Sequence, residues 1–494
     1  MSTTLEQIRD FKGRYPKQLW YLFFSEMWER FCFYGMRGML TVFMVDKVIG
    51  LGMKEDTANL QYGATQAFVY AFTFIGGLFA DKILGFRKSL FWGGLLMIAG
   101  SCILALNPHD YFFMGIGFTI VGTGFFKPNI STMVGALYNE GDSRRDAGFS
   151  LFYSGINIGA LLGGYACIAI AKNYSWNLAF GLAAIVMTIS LVTFLFTQRS
   201  LGPIGLAPLH GERNGKPWKE YLTYLGSLAV IPVIMIMVAK TEYTDWFMYT
   251  IGPVTLVYLI YEMFKCSKPE RRKLMAAMVF ILFSILFWAF FEQSGGSLNL
   301  FASNNLRDEA FGIHLDPNGV NNSANALFVI LFAPLLGLFW MWLAKRKSEP
   351  NTVIKFGLGF FFLALAFYTF YFTRFFADMN TGMTSLEVFT LAYFIITFGE
   401  LCLSPIGLSI MTKLAPHRLQ GMMMGMWFLA SAYGQYVAGI LGAGMALPNE
   451  KATAAEKLIS YTDGYSQLAF YAVICGIALI SLSPIVRKYM GNVK

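Results

Sequence analysis

Long apolar runs alternate along the chain with short polar, mostly basic segments. A helix needs about 20 predominantly apolar residues to cross a bilayer. Fourteen stretches approach that length, near 19–45, 61–80, 89–106, 111–135, 147–171, 178–197, 219–239, 246–264, 273–293, 323–344, 354–376, 386–412, 419–445 and 465–486. They are too long and too uniformly apolar for membrane strands. The pattern predicts an all-α membrane protein with 14 transmembrane helices.

Composition agrees. Of the 494 residues, 56% are hydrophobic and only 14% charged, too little polar surface for a soluble protein of this size. The net charge of +9 would fit nucleic acid, but the distribution excludes it. Of the 38 Lys and Arg, 27 lie in the N-terminal tail, alternate loops and C-terminal tail, 8 lie in the other loops, and three (Arg30, Arg37, Lys127) lie within spans. The basic side is expected to be cytoplasmic, with both termini inside, as the even span count also requires. The segment with Arg9, Lys12, Arg14 and Lys17 reads as a retained tail rather than a signal peptide. Cys32, Cys102, Cys167, Cys266, Cys402 and Cys475 show no paired spacing and read as small apolar side chains.

The spans divide as six, two and six. A Gly/Pro-rich, charged stretch from Leu201 to Lys219 precedes the middle pair, and a basic run from Lys265 to Lys273 follows it. The expected domains are an N-terminal six-helix bundle (1–200), a linker with two extra helices (201–272) and a C-terminal six-helix bundle (273–494). Two such halves are the architecture of major facilitator transporters, with a solute site near the midplane. The middle pair carries few ionisable residues within its spans and reads as peripheral packing.

Charge inside the spans is the chemical signal. Insertion of one charged side chain costs roughly 2.5–3.5 kcal/mol at the helix centre. Glu26, Glu29, Arg30, Phe33 and Arg37 follow helical spacing and share one face, with Tyr34 beside them. A self-neutralising cluster serving only packing is disfavoured, because buried pairs seldom repay their desolvation. Lys127 lies inside the fourth run, just before the helix-distorting Pro128, and its natural partner is Glu26 or Glu29. The second half contributes only carboxylates, Glu292 and Glu400, so the in-span cations all belong to the first half. That asymmetry suits a zwitterion: its carboxylate on Arg30, Arg37 and Lys127, its ammonium on Glu400. Glu292 is alternatively a gate partner for Arg37, and Glu26 and Glu29 are candidates for proton carriage. Tyr153, Asn157 and Asn325 add hydrogen-bonding groups, and Trp288, Trp427 and Phe428 add aromatic walls. Between the second and third runs, Gly77, Asp81, Gly85 and Arg87 lie in a stretch resembling the conformational loop of the major facilitator superfamily, with glycines for close helix approach.

Taken together, Glu26-x-x-Glu29-Arg30-Phe31-x-Phe33-Tyr34-Gly35, the Gly76–Lys88 stretch, Phe152-Tyr153-x-x-Ile156-Asn157-x-Gly159 and Gly399-Glu400 through Ser404-Pro405 resemble the proton-coupled oligopeptide transporter family. The resemblance spans the chain and includes the extra helix pair typical of bacterial members. It implies proton-driven uptake of di- and tripeptides across the cytoplasmic membrane. It assigns proton coupling to Glu26, Glu29, Lys127 and Glu292. It assigns substrate contact to Arg30, Tyr34, Arg37, Tyr70, Lys127, Tyr153, Asn157, Trp288, Asn325, Glu400, Ser404, Trp427 and Phe428. Phe33 stands where many members have Tyr, and Ala160 replaces a frequent Ser.

The alternative within transport is nitrate or another small organic anion, against which Asn157, Asn325 and Glu400 argue. An enzyme lacks a nucleophile–base pairing, and none of the four histidines lies in the charged cluster. A channel is disfavoured by the absence of repeated polar rings. The expected partners are peptides, protons and the lipid bilayer, with no nucleic acid, metal or cofactor, and the protein is expected to work as a monomer.

Overall fold

The structure, a computed structural model, describes residues 4–139, 141–142, 144–207, 217–403, 407–449 and 451–493. Among them are 14 helices of 18 residues or more. In chain order they are α1 (Lys17–Val45), α2 (Glu55–Phe79), α3 (Gly85–Leu106), α4 (Phe112–Ala136), α5 (Arg145–Asn173), α6 (Trp176–Thr197) and α7 (Pro217–Ala239). They continue with α8 (Thr241–Phe264), α9 (Lys268–Phe291), α10 (Pro317–Lys345), α11 (Thr352–Phe372), α12 (Leu386–Leu403), α13 (Gln420–Met445) and α14 (Ala454–Met490). A two-residue hairpin pairs Glu309–Ala310 with Ile313–His314 outside the spans.

Several helices begin earlier than the apolar runs, because polar residues start helices. Thr453 and Glu456 form a reciprocal capping box that begins α14 about a turn and more before its apolar stretch. Asp316 caps α10 through the Gly319 amide. Among the described residues, ten helical stretches are long and apolar enough to cross a membrane, and one of them, Glu55–Leu106, carries both α2 and α3. The helices α1, α4 and α13 fall outside that measure because charged, polar and glycine residues dilute them. Two of these three, α1 and α4, carry the in-span cations.

The chain forms two compact units. The first holds residues up to Leu51 together with Phe68–Ala239, and the second holds Gly52–Ala67 together with Lys240–Lys494. The extra helices therefore do not make one module. Helix α7 belongs to the first unit, where Trp92 donates to Ser227 Oγ at 2.9 Å and Lys88 pairs with Glu220 at 2.6 Å. Helix α8 belongs to the second, where Tyr436 donates to Asp245 at 2.6 Å and buried Glu262 receives Arg418 at 2.6 Å and Lys265 at 2.7 Å.

The stretch between α2 and α3 is not an open loop. Ala80–Leu84 winds as a π-helix, and Gly85 closes it at φ +75°, a conformation that favours glycine. A Cβ on Gly85 would lie 2.5 Å from the Ala207 amide nitrogen. Arg87 donates to the Ile204 carbonyl at 2.7 Å and also to Gly202, so it secures the start of the linker. Asp81 is exposed.

The close crossing of α2 and α4 is built from two residues. Pro128 lacks the amide that would bond the Gly124 carbonyl, and a Cβ on Gly76 would lie 2.1 Å from that carbonyl oxygen. Gly77, by contrast, meets Pro128 at an ordinary 3.6 Å. Gly76→Val is expected to lower the detergent-solubilised melting temperature by several degrees, an overpacking cost of about 1–3 kcal/mol. Gly226→Ala on α7, where a Cβ meets nothing within 4 Å, is expected to be neutral or slightly stabilising in the same measurement.

Candidate functional site

In the first unit the charged face of α1 is held against α5 by glycines. A Cβ on Gly159 would lie 2.1 Å from the Met27 carbonyl and 2.9 Å from Arg30 Cβ, and one on Gly163 would lie 2.2 Å from the Phe31 carbonyl. This approach leaves no room for water around the α1 charges. Glu26, Glu29 and Arg30 are exposed by only 2%, 0% and 2%.

Within the cluster, Arg30 Nε donates to Glu26 Oε1 at 2.7 Å and lies 2.8 Å from Glu29 Oε2. The second contact is an ion pair without hydrogen-bond geometry. Glu26 Oε2, both Glu29 oxygens and Arg30 Nη2 form no hydrogen bond with any described residue. Buried polar atoms are normally paired, and exceptions of this kind call for a chemical reason. Here one guanidinium faces two carboxylates, so the triad carries one negative charge in excess until a proton or another cation joins it.

A further cation, Lys127 on α4, shares an aromatic neighbour with Arg30. Its ammonium lies 5.9 Å from the Phe33 ring centroid and 4.4 Å from that of Tyr70, while Arg30 Cζ lies 5.6 Å from the same Phe33 ring. Phe33, placed on the charged face by its spacing, is thus the ring that both cations share. Arg37 stacks over Tyr34 at 5.8 Å. Asn157 is buried and donates to the Tyr153 carbonyl at 2.9 Å, and Tyr153 itself is half-buried.

The second unit holds a separate cluster. Asn325 on α10 donates to Glu400 Oε2 at 3.0 Å and to Thr397 Oγ1 at 3.1 Å, with both acceptors on α12. Thr397 escaped the sequence reading, although its three-residue offset from Glu400 puts both on one helical face. Glu292 caps the end of α9 and is buried. On the preceding turn Trp288 packs edge-on against Phe287 and Phe291. Trp427 is buried and lies against Gly407, whose Cβ would meet it at 3.2 Å, and Phe428 is half-buried. Ser404 lies outside the described residues.

These features define a class before any comparison: a polytopic transporter of the major facilitator type, with buried charge on its spanning helices. The chain belongs to the POT (PTR2) family, whose model matches residues 87–458. It is 34% identical over 512 residues to the peptide transporter YePEPT of Yersinia enterocolitica subsp. palearctica, covering 99% of this chain and 98% of that one. It is 31% identical to a di-/tripeptide transporter of Lactococcus lactis subsp. cremoris, covering 97% of each. Among solved structures it resembles a peptide transporter POT in complex with sulfate, with TM-score 0.82 and 32% identity, covering 99% of both chains.

The triad yields a stability prediction. Arg30→Ala leaves two carboxylates buried without their cation and is expected to cost about 3–5 kcal/mol. Adding Glu26→Gln is expected to restore part of that loss. Thermal unfolding of both variants in detergent checks this, and equal melting temperatures for the two would contradict it.

Proposed function

We propose that this protein is a proton-coupled symporter that imports di- and tripeptides across the cytoplasmic membrane by alternating access. The observation that carries the reading is the buried Glu26–Glu29–Arg30 triad with its unsatisfied polar atoms. A proton on Glu26 or Glu29 removes the excess negative charge. A peptide carboxylate on Arg30 Nη2 would draw the guanidinium toward the substrate, so that ligand and proton bind the same group of charges and affect each other's affinity. Lys127, Arg37, Tyr34 and Tyr70 complete the carboxylate end. Glu400, oriented by Asn325, takes the peptide ammonium. Tyr153, Asn157, Trp288, Trp427 and Phe428 border the peptide body.

Family membership and relatives named for di- and tripeptides support this assignment. Nitrate as the substrate gains no support from them. Both termini face the cytoplasm on the strength of the basic-loop bias, and the protein acts as a monomer.

The test uses proteoliposomes given labelled dipeptide outside, empty for accumulation and preloaded with unlabelled dipeptide for exchange. A gradient of one pH unit is worth about 1.4 kcal/mol per proton, enough for about tenfold accumulation at one proton per peptide. Wild type is expected to accumulate dipeptide by about that factor. Glu29→Gln is expected to equilibrate without accumulation while still exchanging labelled for unlabelled peptide. Gradient-driven accumulation undiminished in Glu29→Gln would sink the coupling role of that residue.

A further inference from the structure

At one end of the second unit lies a cavity lined by none of the residues proposed for transport. It has a volume of about 1110 Å³ and is bordered by the ends of α10, α11 and α14 and by the short helix Gly407–Leu414. Lys347, Lys413, Arg487 and Lys488 line it, together with Lys355 and a single carboxylate, Glu349. Glu349 is already engaged by Lys355. No ion pair ties Lys347, Lys413, Arg487 or Lys488 to a carboxylate among the described residues. Basic residues at helix C-termini ordinarily answer the helix dipole and orient the chain, which accounts for Lys413, Arg487 and Lys488 singly. It does not account for four cations from three separate segments lining one concavity.

The floor of the cavity adds to its positive field. Asn351 caps α11 by accepting from the Val353 and Ile354 amides, so that helix starts at the cavity wall. Trp340 forms an apolar side, with Lys355 Nζ at 4.7 Å from its ring centroid. Above the cavity the surface turns apolar: Leu335, Leu338 and Phe339 on α10 and Leu482 and Ile485 on α14 are all exposed. A positive hollow at the foot of lipid-facing helices matches one kind of molecule, with anionic oxygens at one end and hydrocarbon at the other.

We propose that this cavity binds the phosphate-bearing headgroup of an anionic phospholipid, with its chains along the apolar faces of α10 and α14. The ammonium groups of Lys347, Lys413 and Lys488 and the guanidinium of Arg487 supply charge-assisted hydrogen bonds to phosphate oxygens. Basic pockets between spanning helices on the cytoplasmic side are suited to such headgroups. The proposal does not depend on which solute is transported.

The probe is phosphatidylglycerol, offered to the full-length protein in phosphatidylcholine nanodiscs and counted by native mass spectrometry after release. Wild type is expected to retain phosphatidylglycerol over phosphatidylcholine by at least about tenfold, given about fivefold per charge near an anionic surface. The variant Lys413→Gln/Arg487→Gln/Lys488→Gln is expected to lose that preference. Arg272→Gln/Lys273→Gln, basic residues outside the cavity, is expected to keep it. Should the triple variant fail to fold, Lys413→Gln and Lys488→Gln singly are each expected to show a partial loss. No preference in wild type, or an equal preference in the cavity variants, overturns the proposal. So does displacement of the retained lipid by millimolar inorganic phosphate, which would make the occupant a free anion.

Discussion

Everything in the first unit turns on the burial of Arg30 between Glu26 and Glu29. Ion pairs of this kind are poor stabilisers, because removing charges from water costs about as much as their attraction returns. Here the arrangement is also unbalanced, with two carboxylates to one guanidinium. A fold selected for stability alone would replace the triad with apolar side chains. Stability does not explain the triad's presence, and its burial is built in by neighbouring residues. The glycines at 159 and 163 of α5 serve this by bringing backbone where side chains would otherwise hold α1 away. Phe33 serves it by giving Arg30 and Lys127 one aromatic face.

The extra helices take on a different meaning from what their composition implied. Low ionisable content within the spans pointed to inert packing, and packing of a kind is what they do. Each, however, is fastened to its own unit by specific polar contacts at the ends, Lys88–Glu220 and Trp92–Ser227 for α7, Asp245–Tyr436 and Glu262–Arg418 for α8. Lys240 alone separates the two helices in sequence. Arg87 of α3 holds the start of the linker at Gly202 and Ile204. Gly85 and Arg87 thus tie the junction of α2 and α3 to that linker, while Asp81 is exposed.

The helix count was legible because lipid imposes a length on apolar runs, and the candidate cations were legible because charge in such runs is rare. Helix starts were not, since Glu55, Asp316 and Thr453 are polar and precede the apolar signal. Nor was the grouping of α7 and α8, which depends on partners far away in sequence. The triad could be read from spacing within one helix. The Asn325–Thr397–Glu400 cluster joins α10 to α12, and Asn325 and Glu400 stood out but Thr397 did not, because a threonine in a membrane helix usually bonds its own backbone, as Thr397 also does to Tyr393.

That double engagement says how the second unit holds its carboxylate. Thr397 donates its hydroxyl proton to the Tyr393 carbonyl at 2.7 Å, which leaves its oxygen lone pairs to accept from Asn325. The Asn325 amide group can then use its other hydrogen on Glu400 at 3.0 Å. The proton directions are thereby set along the chain Glu400–Asn325–Thr397–Tyr393, and both hydrogens of the asparagine amide are committed. Asn325, itself fixed by Thr397, thus orients the Glu400 carboxylate on α12. Arg30 in the first unit is held differently, between two carboxylates of its own helix.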